Sequence, residues 1–412
     1  MKFWKIKTVL FINYFVFAIL LNSVGTVILQ VQNNYGISQG EASILEGFKD
    51  LSIALVSFLV SAYIVRVGYK NAMLFALGFV AAICLIMPST HSFMATKLLF
   101  AAVGSSFALI KMSVYSIIGL VTKSEKEHIS LMSFLESFFM IGILTGYFIF
   151  SYFVDNKNPQ STDWLKVYYL VGTLATLAFV LLLTTPLDES AVQQPEGGSL
   201  LNDFREMFKL LASPLVLIFI SCAFFYVLIE QSIMSWLPTF NNQVLLLPLA
   251  LSIQMASILA GSTALGRFLA GLLLKRFNWL IVLSICLIAA GALVVLAIPL
   301  AKNVGGSAVT GWGDAPIAAF IFPMIGLLLA PIYPAVNSVI LSTLPKAKHG
   351  MMSGLIIIFS ALGGTTGSII TGNIFEKYGG QNAFYFSLIP MTILIICLFF
   401  FRRLQLRQSS IS

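Results

Sequence analysis

Apolar stretches long enough to cross a bilayer, about 20 residues each, recur along this chain from end to end without an interruption the size of a soluble domain. They predict helical spans at about 8–29, 42–64, 71–88, 93–121, 129–153, 164–184, 214–238, 247–274, 279–299, 316–344, 350–373 and 382–401. The longest polar break lies at about 185–213, where QQPEGGS interrupts the pattern and LLNDFREMFKLL reads as an amphipathic stretch. The pattern therefore predicts an all-α membrane protein of twelve transmembrane helices, in two six-helix bundles over 1–187 and 214–412 with a linker at 188–213.

The halves read as copies. FAAVGSSFALIK from Phe100 aligns with FPMIGLLLAPIY from Phe322, matching Gly104 to Gly326 and Ala108 to Ala330. The fifth span aligns with the eleventh through Gly142 with Gly363, Thr145 with Thr366 and Gly146 with Gly367, and the first aligns with the seventh through Phe11 with Phe219 and Asn33-Asn34 with Asn241-Asn242. Two parallel six-helix repeats with a solute site at their interface are a known transporter architecture.

Composition agrees: 58% of the residues are hydrophobic and 10% charged, against about 25% charged in soluble domains. The net charge of +8 would suggest nucleic acid in a soluble protein, but here its placement speaks to topology. With the N-terminus inside, Lys2, Lys5, Lys7, Arg66, Lys70, Lys123, Lys126, Arg205, Lys209, Lys275, Arg276, Lys346, Lys348, Arg402, Arg403 and Arg407 fall inside, and only Lys157, Lys166, Lys302 and Lys377 outside. That asymmetry places both termini in the cytoplasm of a multi-pass inner-membrane protein. The basic N-terminus lacks a small-x-small cleavage site and reads as the start of a retained helix. Cys84, Cys222, Cys286 and Cys397 all fall in apolar stretches without metal-ligand spacing and read as inert packing residues.

Ionisable side chains in hydrocarbon are costly, so each is a candidate for function. The second span carries Glu46, Lys49 and Asp50 at i, i+3 and i+4, on one helix face. The fourth has Lys111, the fifth Glu136, the seventh Glu230 beside Gln231, and the eighth Arg267. Four carboxylates face three cations, leaving one acid over as a possible proton carrier. The repeat aligns Asn22 with Glu230, Lys111 with Tyr333 and Glu136 with Ile357, so the copies differ where a substrate site must be asymmetric. Asn22, Lys111, Glu230, Gln231, Tyr333 and Asn337 form one polar lining for solute; Glu230, Glu136, Asp50 and Glu46 are the proton-coupling candidates; Arg267 and Arg66 suit a gate. The structural alternatives are a self-neutralising triad at Glu46, Lys49 and Asp50, an ion pair of Lys111 with Glu136 or Glu230, a snorkelling Lys97, and helix packing by GGTTG. Pro331 and Pro334 are expected to kink the tenth span. No phosphate loop, H-E-x-x-H or G-x-S-x-G motif occurs, which argues against an enzyme and calls for no cofactor or metal.

These residues resemble the major facilitator superfamily, and within it the fucose:proton symporter group of sugar transporters. YVLIEQSIMSWLPTF at 226–240 resembles that group's seventh helix and GRFLAGLLLKRF at 266–277 its eighth; APIYPAVNS and SGLIIIFSALGGTTG resemble its tenth and eleventh. The chain departs from the family pattern between spans 2 and 3, where SAYIVRVGYK keeps Arg66, Gly68 and Lys70 but has Val65 in place of the acid. It departs again at Asn22 and Lys111, in helices where the fucose symporters use carboxylates. The resemblance implies a monomeric secondary transporter that imports a monosaccharide or sugar derivative with protons, by alternating access, in contact with lipid and with no nucleic-acid partner. The alternatives are a symporter of an anionic metabolite or sugar acid, an exporter of an amphipathic compound, and a solute sensor without net flux.

Overall fold

The computed structural model describes residues 4–60, 64–121, 125–187, 189, 205, 209–274, 276–301, 309–343 and 349–409. Among them every regular element is helical, and the packing separates two compact units, one of residues 1–36 with 48–197 and one of residues 37–47 with 198–412. Eleven described helices are long and apolar enough to cross a membrane. A twelfth, α2 below, stands apart because its described part has 17 residues and carries Glu46, Lys49 and Asp50.

In the first unit, α1 (Trp4–Asn22) runs almost directly into a second helix, Val24–Tyr35. The break is local chemistry: Ser23 Oγ donates to the Leu20 carbonyl at 2.7 Å, and Asn22 Nδ2 to that of Ala18 at 3.0 Å, so both side chains compete with the backbone ladder. Then follow α2 (Ile44–Val60), α3 (Tyr69–Ile86), α4 (Phe93–Val121), α5 (Glu125–Tyr152) and α6 (Val167–Thr184). α1 packs on α5, and α3 on α4 and α6. Gly68, at φ +86°, opens α3, and the Glu189 carboxylate accepts from the Tyr69 and Lys70 amides at 3.0 and 2.6 Å. Lys70 Nζ returns the contact, donating to the Thr185 carbonyl at 2.7 Å. A carboxylate thus caps the positive end of α3, and an ammonium caps the negative end of α6.

The second unit holds α7 (Pro214–Met234), α8 (Leu249–Leu273), α9 (Trp279–Leu300), α10 (Ile332–Thr343), α11 (His349–Tyr378) and α12 (Leu388–Ser409). α7 packs on α11 and α12. The kink expected at Pro331 appears as the break between Ile325–Leu329 and α10, and a further break that was not expected, between Ala318–Ile321 and Ile325–Leu329, falls at Pro323 in the short piece Phe322–Met324. Pro331 sits at the last break, whereas Pro334 falls in the first turn of α10, where a missing N–H leaves no bond unmade. Several helices outrun the apolar stretches that predicted them. α5 starts at Glu125 and α11 ends at Tyr378, because polar residues continue a helix after its apolar stretch has ended.

The residues that the repeat paired share a packing role. Gly142 lies against the Phe15 carbonyl of α1, and its repeat mate Gly363 against the Phe224 carbonyl of α7. Gly146 meets Ile19 of α1, and Gly367 the Leu228 carbonyl of α7. At Gly363 and Gly367 a Cβ would collide with backbone oxygen; small residues there let helices approach closely.

Residues 37–47 belong by packing to the second unit. Gly40 N–H donates to Glu376 Oε2 at 2.7 Å, Gly372 leaves room for Ser43 and Trp236, and Trp236 Nε1 donates to the Ser368 carbonyl at 3.1 Å. Eight of the twelve residues of the amphipathic stretch expected in LLNDFREMFKLL lie outside the described residues, and the side chain of Arg66 lies outside them too.

Candidate functional site: one polar cluster in each unit

The cluster of the first unit is built on α1, α4 and α5. Tyr14, Phe17, Phe107 and Phe139 form an aromatic wall, with Tyr14 and Phe139 centroids 5.8 Å apart, Phe17 and Phe107 5.9 Å, and Phe107 and Phe139 6.1 Å. Lys111 rises from it, its Nζ 5.9 Å from the Phe107 ring and 5.8 Å from that of Tyr115, one turn along α4. Both distances permit cation–π attraction. The Tyr115 hydroxyl donates to Glu136 Oε1 at 3.4 Å, so a phenol joins the cation's surroundings to the carboxylate. Tyr14 is 2% exposed, and its hydroxyl makes no well-formed hydrogen bond but interacts with Tyr115 and Glu136. Glu136 lies about 16 Å from the start of α5, roughly three turns, one turn deeper than the apolar boundary suggested.

Asn22 stands apart from that group. It lies eight residues beyond Tyr14, about 12 Å along the helix axis, in a tight crevice with Ile19, Thr26, Gly146 and Tyr147. Asp50 also has its own setting, 3.4 Å from Lys49 Nζ. Lys97, near the start of α4, places its Nζ 4.4 Å from the centroid of the Phe93 ring, within cation–π range.

The cluster of the second unit joins α7, α10 and α11. The Tyr226 hydroxyl donates to Glu230 Oε1 at 2.9 Å, and the Tyr226 ring stacks on Tyr333 with centroids 5.4 Å apart and planes at 25°. Tyr333 in turn shares a 3.1 Å hydrogen bond with Ser360 of α11. Arg267, exposed on α8, interacts electrostatically with Tyr226. Asn337 lies one turn beyond Tyr333, and its carbonyl oxygen is buried without a hydrogen-bond partner, an acceptor that a bound hydroxyl could satisfy. Gln231 leads elsewhere: its Oε1 lies 3.4 Å from Ser235 Oγ, which donates to Glu46 Oε2 at 2.8 Å. Glu230 and Tyr333 thus share one cluster, whereas Gln231 belongs to another.

Sequence reasoning missed Tyr226, Tyr115 and Ser235. Each lies four residues from a residue it had named, Glu230, Lys111 and Gln231 respectively, so one helical turn was the signal. Tyr14 and Ser360 carried no such mark. All four cysteines are free, Cys84 and Cys222 buried and Cys286 and Cys397 half-buried; α7 and α12 meet through Phe219 and Phe401. Among the described residues no group of His, Cys, Asp and Glu is placed to hold a metal ion.

Residues 10–322 match the Major Facilitator Superfamily. A search of curated protein sequences found no match. Among solved structures, the chain is similar to a mutant form of the nucleoside transporter NupG, at TM-score 0.75 and 16% identity, covering 96% of this chain and 99% of that one. It is similar to a D-xylose-proton symporter at TM-score 0.75 and 13% identity, covering 97% of each chain. A bacterial homologue of the human lysosomal transporter Spinster follows at TM-score 0.69 and 15% identity, with coverage of 100% and 98%. At such identities the likeness is one of fold.

Proposed function

The chain belongs to the major facilitator superfamily and is a multi-pass membrane transporter rather than an enzyme, and from that premise we propose that it imports a monosaccharide or sugar derivative by proton-coupled alternating access. The observation that carries this reading is the Tyr226–Glu230–Tyr333–Ser360 cluster. Stacked phenol rings offer an apolar face to the C–H side of a pyranose. A carboxylate, the open Asn337 carbonyl and the Tyr333 and Ser360 hydroxyls offer partners for its O–H groups, which a site must match to discriminate among sugars. A D-xylose-proton symporter has a similar fold, and the sequence resembles the fucose:proton symporter group. In this reading Glu230 binds solute with Tyr333 and Asn337, Lys111 and Asn22 serve the first unit's side, and the proton resides on Glu46, Asp50 or Glu136. The protein sits in the inner membrane as a monomer with both termini in the cytoplasm, and Arg267 and Arg66 act at its gates.

A second reading is favoured by Lys111, whose ammonium beside aromatic rings suits an anionic sugar acid. Proteoliposomes given a panel of labelled sugars, sugar acids and nucleosides, with and without an imposed pH gradient, distinguish these readings. The proposal expects sugar accumulation only when the gradient is acid outside. Accumulation of sugar acids alone moves the reading to the anion, accumulation of nucleosides alone to the solute named for NupG, and uptake indifferent to the gradient removes proton coupling.

A further inference from the structure

Two helices of the second unit change from apolar to basic at the same level. The apolar run of α9 begins at Trp279, just after Arg276, and that of α12 ends at Phe401, just before Arg402 and Arg403. The Trp279 and Phe401 rings pack together, centroids 5.9 Å apart and planes at 60°, so the two boundaries coincide. Ile281 and Ile285 of α9 and Phe399 and Phe400 of α12 are exposed, and in a membrane-spanning chain such side chains meet lipid tails. Arg276, Arg402 and Arg403 therefore stand where tails give way to headgroups, beside a tryptophan of the kind enriched at that level.

Arg402 is seated there. Its Cζ lies 5.9 Å from the centroid of the Trp279 ring, within cation–π range, and its Nη1 donates to Gln405 Oε1 at 2.9 Å. A guanidinium has several N–H donors, and the others remain for a further acceptor. Arg276 and Arg403 are exposed, and among the described residues no carboxylate forms an ion pair with any of the three arginines. The helix dipole does not account for Arg402, because its pull is confined to the last turn and α12 runs on to Ser409.

We propose that Arg276, Arg402 and Arg403, around Trp279, bind the phosphate headgroup of an anionic phospholipid. The planar guanidinium of Arg402, steadied by the indole, matches two phosphate oxygens at once, and basic groups at the membrane surface attract anionic lipids. The tails of the same molecule lie along the exposed Ile281, Phe399 and Phe400. A free phosphate would gain the arginines but not that apolar face, and a zwitterionic headgroup would bring its own cation to a patch already positive. The site is separate from solute binding, since neither α9 nor α12 contributes to the two polar clusters.

Phosphatidylcholine vesicles holding the full-length protein and a small, equal fraction of brominated phosphatidylglycerol or brominated phosphatidylcholine test this, because bromine quenches nearby tryptophan. Subtracting the Trp279→Phe variant leaves the signal of Trp279. Its quenching should show phosphatidylglycerol enriched over phosphatidylcholine. Arg402→Gln, measured against its own Trp279→Phe counterpart, should lower that enrichment about fivefold, the effect of one basic residue beside an anionic surface. Lys5→Gln, at the start of α1, should leave it unchanged. Equal quenching by the two lipids, or no loss in Arg402→Gln, overturns the site. Equal losses in Arg402→Gln and Lys5→Gln replace it with diffuse surface charge, and loss of the enrichment on adding glycerol phosphate, a headgroup without tails, replaces the lipid with a free anion. Arg403→Gln, at an exposed side chain, carries the same test if Arg402→Gln does not insert.

Discussion

Tyr226 fixes Glu230 from one turn away while stacking on Tyr333, and Tyr226→Phe separates these duties by keeping the ring and removing the O–H. A hydrogen bond to a charged group contributes about 1.5–3 kcal/mol, so affinity measured by solute exchange should fall by about tenfold or more; unchanged affinity would detach Glu230 from binding. Lys111→Met should abolish uptake while leaving a monodisperse, membrane-inserted protein, because the aliphatic stem keeps its place by Phe107 and only the ammonium is lost. Persistent uptake at native affinity would remove Lys111 as an anchor. The charged members of both clusters were legible in the sequence, because hydrocarbon makes every ionisable residue conspicuous. Their tyrosine partners were not, since Tyr14 and Tyr226 resemble the many aromatic packing residues until the helices are brought together.

The glycines that hold α1 against α5 and α7 against α11 give a test on the scale of the helix pair. Gly363→Val places a branched side chain against the Phe224 carbonyl, and overpacking of this kind costs about 1–3 kcal/mol. Thermal unfolding in detergent should start at lower temperature, whereas Gly291→Ala, whose Cβ would meet only Leu388 at 3.5 Å, should be neutral. Equal effects would deny the crossing its role. The repeat matches Gly142 with Gly363 and Gly146 with Gly367 in the sequence itself, but which helices those glycines hold together emerges only from the packing. Helix ends were less visible, as at α5 and α11, because hydropathy reports the apolar stretch and not the hydrogen-bonded helix that continues past it. The capping of α3 by Glu189 was also hidden: the acid missing at Val65 is not replaced nearby in sequence, and the carboxylate at α3 comes from beyond α6.

For the whole molecule, the distribution of Lys and Arg predicts that a cysteine placed at Asn158 is labelled from outside and one at Glu196 only from inside; the reverse pattern would overturn the orientation and the repeat assignment together. The helical class could be read from hydropathy, and the repeat was proposed from matched residues such as Gly104 with Gly326. The membership of residues 37–47 in the second unit could not, because it rests on bonds such as Gly40 to Glu376, 336 positions apart. That long-range bond bears on how the protein is made. Chains emerge from the ribosome at about 5–20 residues per second, so this early segment waits roughly 20–70 s before its acceptor on α11 has been synthesised. Until then the Gly40 amide and the Glu46 carboxylate lack the partners that later enclose them. The newborn chain must be sheltered through that interval, and slowing elongation in its second half should lengthen its exposure to membrane proteases.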